Sequence, residues 1–264
     1  MRLILFALGL SMASHGWAAK CAALSGEKTT ALVELYTSEG CNSCPPADRW
    51  LSGLAARGHV PERVVPLSLH VDYWDYIGWK DPYAKPAFSG RQRNLTQLQR
   101  LAFVYTPQVM LQGKDFRGWR TAAFDDAVAR INSEPARARI SMALEAPGAA
   151  ELSVDLRAEV LDPGHRRDAA LYVAAYENRL ASTVTAGENR GRTLKHDYVV
   201  LEWVGPLDFG PGGARAERRS IPLLPRAVPA HSGVVAFVQN RRTLEVLQAL
   251  MLPACPAGAG AGKG

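Results

Sequence analysis

The chain has 264 residues, of which 47% are hydrophobic and 21% are charged, and this composition excludes a disordered or fibrous protein. The net charge is +6 at pH 7, and the arginines are scattered rather than gathered in one run. Such a modest basic excess is typical of soluble proteins that are weakly attracted to anionic surfaces, so we expect no nucleic-acid partner.

Residues 1–18 have the pattern of a secretory signal peptide. Arg2 provides a positive start, residues 3–10 form an uncharged apolar run, and residues 16–18 form a small-residue cleavage site. The apolar run is too short for a membrane span, and Lys20 precedes Cys21 at the position where a lipid anchor needs a small residue. We therefore expect an exported, soluble protein, periplasmic or secreted, without a membrane span.

Export affects the interpretation of the four cysteines, because thiols in an oxidising compartment either pair or perform redox chemistry. Cys41 and Cys44 lie close together, whereas Cys21 and Cys255 lie near the two ends of the mature chain. Chain termini are often close in space, so a structural Cys21–Cys255 disulfide is a candidate among the three possible pairings. That pairing leaves Cys41 and Cys44 to act together.

Strands and helices alternate between residues 30 and 131. Gly58 is expected to stop the first helix and Thr121 to cap the last one. The predicted elements, in chain order, are a buried strand over 31–37, a helix over 44–57, a strand over 63–71, a helix over 83–101, strands over 107–113 and 114–119 with Gly113 in the turn, and a helix over 121–131.

The sequence pattern changes at Pro135. The later segments alternate apolar and polar residues and are separated by turn residues, which is typical of an antiparallel sheet or sandwich. The segments cover 138–145, 151–160, 170–177, 197–204, 218–223 and 233–240. Residues 243–252 are interpreted as a short helix, and residues 253–264 as a flexible tail.

The stretch TSEGCNSCPPAD, residues 37–48, contains the most informative pattern: strand, Cys-x-x-Cys, helix. Cys41 is expected at the helix start, where free amide groups and the helix dipole stabilise a thiolate and make it a better nucleophile. Cys44, one turn inside, can resolve a mixed disulfide formed at Cys41. Pro45 and Pro46 fit the first turn, where a missing N–H donor costs nothing.

Thr106-Pro107 opens a predicted strand, and a proline at this position is compatible with a cis bond. With the order of elements and the Cys-x-x-Cys pair, it makes residues 30–131 resemble a thioredoxin-like domain. The likeness extends to VELYTSEGCNSCPPAD (33–48), HVDYWDYIGWKDPYAKPAFSGRQ (70–92), VYTPQVMLQG (104–113) and ENRLASTVTAGENRGRTLKHDYVV (177–200), which resemble the secreted thioredoxin-like family catalogued as domain of unknown function 1223.

The resemblance implies an α/β thioredoxin-like domain over residues 25–134, followed by a β-rich, sandwich-like domain over residues 138–252, and no settled activity. It gives Cys41 the role of attacking thiol, Cys44 that of resolving thiol, and Thr106-Pro107 that of a substrate-side loop. Thioredoxins have Trp before the first Cys and Gly-Pro between the two, whereas this chain has Gly40 and Asn42-Ser43. Neither the redox potential nor the substrate range therefore carries over.

Glu34 lies in an otherwise apolar strand, where thioredoxins place a buried carboxylate that relays protons to the resolving Cys. A buried carboxylate is unfavourable unless it is paired, so proton relay and a partnered structural role are equally open for Glu34. The polar stretch that covers 187–192 and 195–197 is interpreted as a solvated hairpin. The alternative is a recognition loop that faces the redox site.

The predicted function is thiol–disulfide exchange on protein thiols or disulfides, together with a redox partner, by an exported oxidoreductase. One alternative is a non-enzymatic secreted binding module in which the Cys pair is a permanent structural disulfide. Another is a copper or zinc carrier that uses the Cys pair and His70, which ends the second predicted strand. No nucleotide, flavin or haem motif is present, so no organic cofactor is expected.

Overall fold

The structure, a computed structural model, describes residues 20–145, 151–223 and 227–254. The predicted signal peptide and residues 255–264 of the predicted tail lie outside the described residues, as does Cys255 and therefore the predicted Cys21–Cys255 bond. The predicted tail begins too early, because Pro253 lies in a strand and the Ala254 N–H donates to the Ser232 carbonyl at 2.8 Å. Within these ranges, no helix is long and apolar enough to cross a membrane. Three α-helices are present in this part of the chain: α1 (Pro45–Ser52), α2 (Pro86–Leu98) and α3 (Ala122–Ser133).

The strands form two large sheets and one separate hairpin. In chain order they are β1 (Lys20–Leu24), β2 (Ala31–Thr37), β3 (Val64–His70), β4 (Gln108–Leu111), β5 (Lys114–Asp115), β6 (Ala138–Glu145), β7 (Glu151–Val160), β8 (Ala169–Glu177), β9 (Leu180–Thr183), β10 (Thr193–His196), β11 (Val199–Asp208), β12 (Ala214–Pro222), β13 (Ser232–Asn240) and β14 (Val246–Pro253).

The larger sheet has eight strands in the order β14-β13-β8-β11-β3-β2-β4-β5, and it contains strands from both sides of Pro135. The junction is a short parallel pairing in which Val199 of β11 faces Ser68 of β3, and the Ser68 N–H donates to the Tyr198 carbonyl at 2.8 Å. The proposed division into domains over 25–134 and 138–252 stays a prediction. The two segments nevertheless share one continuous sheet.

A second sheet, in the order β1-β6-β7-β12, covers the half of the large sheet that contains β8, β13 and β14. Its strands β6 and β7 alternate buried and more accessible residues, as expected for strands with one face on a core and the other toward solvent. The shared core includes Ile140 and Leu156 from the smaller sheet and Val173, Ala236 and Val238 from the larger one. This packing holds the second half of the chain together.

Strand β2 is buried along its whole length, because helices cover both faces of the sheet at this point. Its alternate residues point to opposite faces, as the strand geometry requires. The face with α1 and α3 contains Ala31, Val33 and Leu35 beside Ala47, Leu51 and Phe124. The face with α2 contains Leu32 and Tyr36 beside Phe88 and Leu95. These two layers fix the strand that leads into the Cys-x-x-Cys pair.

The predicted strand over 31–37 is confirmed with its exact bounds. The helix predicted over 44–57 is shorter, since α1 ends at Ser52 and a separate 3₁₀ turn, Ala55–Arg57, ends at Gly58 with φ +86°. The helix predicted over 243–252 is wrong, because this segment contains strand β14, paired antiparallel with β13. A strand buried on both faces has no polar alternation, so its apolar run resembles that of a buried helix.

Candidate redox site at Cys41 and Cys44

The two cysteines of the Cys-x-x-Cys pair are bonded to each other just beyond β2. Their Cα atoms are 5.5 Å apart, and the turn is closed by a hydrogen bond from the Cys44 N–H to the Cys41 carbonyl at 3.2 Å. Asn42 and Ser43, between them, are exposed, whereas Cys41 and Cys44 are both 0% exposed. The motif therefore reaches the surface while both of its cysteines are covered.

Cys41 precedes α1 and Cys44 is its N-cap residue, so the prediction that Cys41 starts the helix and Cys44 lies one turn inside is wrong. Few amide donors are available at the start of α1, which is also contrary to the prediction. Pro45 and Pro46 have no N–H, and the Ala47 N–H already donates to the Cys44 carbonyl at 2.8 Å. The hydroxyl of Ser43, in contrast, lies 3.3 Å from the Cys41 sulfur. A thiolate at Cys41 would thus be stabilised by this hydroxyl and by the dipole of a short helix.

Trp74 connects the Cys-x-x-Cys turn with the Thr106-Pro107 loop. Its indole N–H donates to the Thr106 hydroxyl at 2.7 Å, and the Thr106–Pro107 bond is cis. A Cβ atom at Gly40 would lie 3.1 Å from the Trp74 Cβ and 3.3 Å from Ile77. The close approach of Trp74 to the turn is a reason for glycine immediately before Cys41.

Glu34 faces away from the cysteine helix. It is fully buried on the α2 face of β2, and its carboxylate accepts two hydrogen bonds from Arg91, at 2.5 and 3.0 Å, and one from the Tyr36 hydroxyl at 3.2 Å. Because α1 packs on the other face, Glu34 is not brought together with Cys41 and Cys44. The proton-relay hypothesis therefore lacks the required geometry, and the partnered structural role fits these contacts.

Arg91 is the cationic partner of Glu34 and is itself enclosed by aromatic rings. Its guanidinium carbon lies 4.9 Å from the ring centre of Tyr172, 5.0 Å from Trp203 and 5.2 Å from Phe237. Burial by itself lowers the pKa of Arg91, but the Glu34 carboxylate outweighs burial and raises it overall. The pair is thus a buried ion pair that links α2 and β2 to the second half of the chain.

His70 is buried at the end of β3 and pairs with a carboxylate. Its Nδ1 atom lies 2.7 Å from Asp81, and Asp81 also accepts the N–H groups of Glu39 at 2.8 Å and Tyr83 at 2.9 Å. Burial by itself lowers the pKa of His70, but the Asp81 carboxylate raises it overall. Within the described ranges, no group of three or more His, Cys, Asp or Glu side chains could hold a metal ion.

A second buried histidine, His196, lies beside His70, with their ring centres 4.9 Å apart. Its Nε2 atom lies 3.0 Å from Glu39, which also accepts the indole N–H of Trp79 at 2.8 Å. Its Nδ1 atom lies 3.9 Å from Asp48, a buried residue one helical turn after Cys44. Burial raises the pKa of Asp48, against the lowering effect of the two histidines.

The hairpin between residues 180 and 196, hereafter the hairpin flap, contacts the cysteine turn directly. The Asn189 side-chain amide donates to the carbonyls of Glu39 at 2.8 Å and Cys41 at 2.9 Å. The Asn42 N–H donates to the Glu188 carboxylate at 2.9 Å. Asn189 is 0% exposed, so the prediction of a solvated hairpin is wrong at this residue. Glu188, Arg190 and Lys195 of the same segment are exposed, as predicted. The polar composition of the segment was visible in the sequence, but the burial of Asn189 against the cysteine turn was not.

Residues 32–239 match the model of a protein family described as protein of unknown function (DUF1223). The chain belongs to this family. The match covers the cysteine turn, the hairpin flap, nearly all of β2 and most of both sheets, so the matched region spans the whole candidate site. No curated protein matches the chain significantly.

Two solved structures share the fold. A protein from Agrobacterium tumefaciens, AGR_C_4864, is 24% identical, with a TM-score of 0.59 over 90% of this chain and 100% of that chain. HBP35 of Porphyromonas gingivalis is 16% identical, with a TM-score of 0.67 over 91% of this chain and 80% of that chain. At these identities the likeness shows the fold alone.

Proposed function

We propose that this protein is an exported thiol–disulfide oxidoreductase that acts on protein thiols or disulfides through Cys41 and Cys44. The observation that carries the proposal is the Cys41–Cys44 bond in a surface turn between a buried strand and a helix. A bond across two intervening residues closes a very small loop and constrains the unfolded chain little. The resemblance to thioredoxin-like domains adds support, since their exchange chemistry uses this order of elements.

In the reducing direction, the Cys41 thiolate attacks one sulfur of a client disulfide. A Cys41–client mixed disulfide forms, and the first client sulfur leaves as a thiolate and takes up a proton. Cys44 then loses its proton and attacks the Cys41 sulfur, which releases the second client thiol and forms the Cys41–Cys44 bond. Two electrons pass to the client, and a reducing redox partner restores the dithiol. The oxidising direction runs the same steps in reverse.

The test is a trapping experiment on the mature protein in the exported compartment. Cys44→Ser keeps the attacking thiol and removes the resolving one, so we expect mixed disulfides with client proteins, visible on a non-reducing gel and released by reductant. Cys41→Ser is the matched control and should trap far less. Equal, negligible trapping by both variants would reject an exchange function.

A second candidate function is a secreted binding module with a permanently oxidised pair, and the full burial of both cysteines favours it. Equilibration of the purified protein with glutathione separates the two candidates. A potential within about −120 to −270 mV, the range of exchange proteins, supports the oxidoreductase. A value below about −300 mV is typical of structural disulfides and supports the binding module.

A further inference from the structure

The backbone groups around Cys41 are those with which an extended polypeptide would pair. Two carbonyls, of Glu39 and Cys41, and one N–H, of Asn42, lie within a stretch of four residues of the turn, and the hairpin flap satisfies all three. Asn189 uses a primary amide for this purpose, which is chemically similar to the peptide group of a bound chain. Recognition through main-chain hydrogen bonds is a general way to bind extended segments of varied sequence.

The hairpin flap is built so that it can leave the site without disrupting either large sheet. Within the described parts of the chain, its strands β9 and β10 pair only with each other, and a two-stranded hairpin alone is marginally stable in water. Its position therefore depends on side-chain contacts with the part of the chain that contains Cys41 and Cys44. Besides those of Asn189 and Glu188, these include His196 with Glu39 at 3.0 Å and Ser182 with the Tyr83 hydroxyl at 3.3 Å.

Asn189 is held in the orientation that this contact requires. The Arg192 guanidinium donates to the Asn189 side-chain oxygen at 3.1 Å, which leaves the amide nitrogen directed at Cys41. The loop is also closed on itself, because the Val184 N–H donates to the Arg192 carbonyl at 2.9 Å and the Gly191 N–H to the Val184 carbonyl at 2.8 Å. The loop thus presents Asn189 as a preformed element.

We propose that the hairpin flap occupies the docking position of the client, and that an extended client segment displaces Asn189 and Glu188 to reach Cys41. The partner is a polypeptide segment beside a reactive cysteine, which takes over the hydrogen bonds to the Glu39 and Cys41 carbonyls and to the Asn42 N–H. The proposal rests on the proposed function. It adds that the client opens the hairpin flap as it docks. A small thiol cannot do so, and it therefore encounters the Cys41–Cys44 bond while the hairpin flap still covers it.

The first measurement is the rate at which dithiothreitol reduces the Cys41–Cys44 bond in the mature protein. Asn189→Ala removes two hydrogen bonds that hold the flap, so we expect reduction to accelerate about 5- to 100-fold. Glu188→Ala removes one bond at an exposed position and should accelerate it about 2- to 10-fold. Arg190→Ala is the matched control, because its exposed side chain makes no hydrogen bond to the described residues.

The second measurement is exchange of the same proteins with a disulfide-bearing extended peptide. Acceleration of both reactions in Asn189→Ala supports the proposal. Unchanged reduction in Asn189→Ala overturns it, and if that variant does not fold, unchanged reduction in Glu188→Ala does so. Peptide exchange that occurs but is not altered by either variant overturns the docking proposal alone. Faster reduction without peptide exchange in any of the proteins overturns both the docking proposal and the proposed function.

Discussion

The Glu34–Arg91 ion pair offers the sharpest test of how this fold is held together, because the two hypotheses for Glu34 predict opposite phenotypes. Glu34→Gln keeps the shape of the side chain and removes its charge. Arg91, whose side chain is 8% exposed, then remains as a buried cation without its counter-ion. As a structural partner, Glu34 should affect stability, whereas as a proton relay it should affect redox kinetics.

The magnitude follows from the contacts. Arg91 donates two charge-assisted hydrogen bonds to Glu34, each contributing about 1.5–3 kcal/mol, and removal of one partner of a buried ion pair costs about 3–5 kcal/mol. We therefore expect Glu34→Gln to lower the free energy of unfolding by about 3–5 kcal/mol. A double variant with apolar residues at both positions should recover part of this loss, since no buried charge remains.

The assay is denaturant unfolding of the oxidised protein, followed by tryptophan fluorescence. Glu202→Gln is the matched control, because Glu202 pairs with Lys85 at 2.8 Å with both side chains substantially exposed, and such a pair contributes about 0.2–1 kcal/mol. The rate of disulfide reduction in Glu34→Gln should keep its pH profile. A loss of stability no larger than that of the control, or a changed pH profile, would refute the structural role.

Three further substitutions test the electrostatics and the packing. Burial raises the pKa of Asp48, so the Asp48 carboxyl binds a proton more tightly in the folded state than in the unfolded chain. The free energy of unfolding of the wild type therefore increases as pH falls through the folded-state pKa of Asp48. Asp48→Asn should therefore raise the free energy of unfolding at neutral pH, with an advantage that shrinks in acid; a pH-independent difference would contradict this. Gly113→Ala should destabilise by about 2–5 kcal/mol, since Gly113 has φ +75° and its Cβ would lie 2.6 Å from the Leu244 carbonyl. Gly58→Ala should cost only about 1–2 kcal/mol, since Gly58 has φ +86° with nothing within 4 Å, and equal losses in thermal melts would refute the steric argument.

The sequence by itself predicted those structural features whose physical cause lies within a few residues of them. Three such features are the buried strand over 31–37, Gly58 at the end of the 3₁₀ turn, and Thr121 at the start of α3. The Thr121 hydroxyl accepts the Ala123 N–H at 3.3 Å. The Cys41–Cys44 bond belongs to the same class, because its partners are three residues apart. Each of these features depends on backbone geometry within a few residues.

The tertiary structure decided everything that joins distant segments. The partner of Glu34 on α2, the strand β14 in place of a helix, and the pairing of β11 with β3 all depend on which surfaces meet after collapse. The same is true of Asn189, which is separated from Cys41 by 148 residues. Its amide is interpreted as solvated from local composition, and only the fold shows that it covers the cysteine turn. Hydrogen bonds of this kind are set by packing, since a short polar segment has no periodicity that identifies its partner.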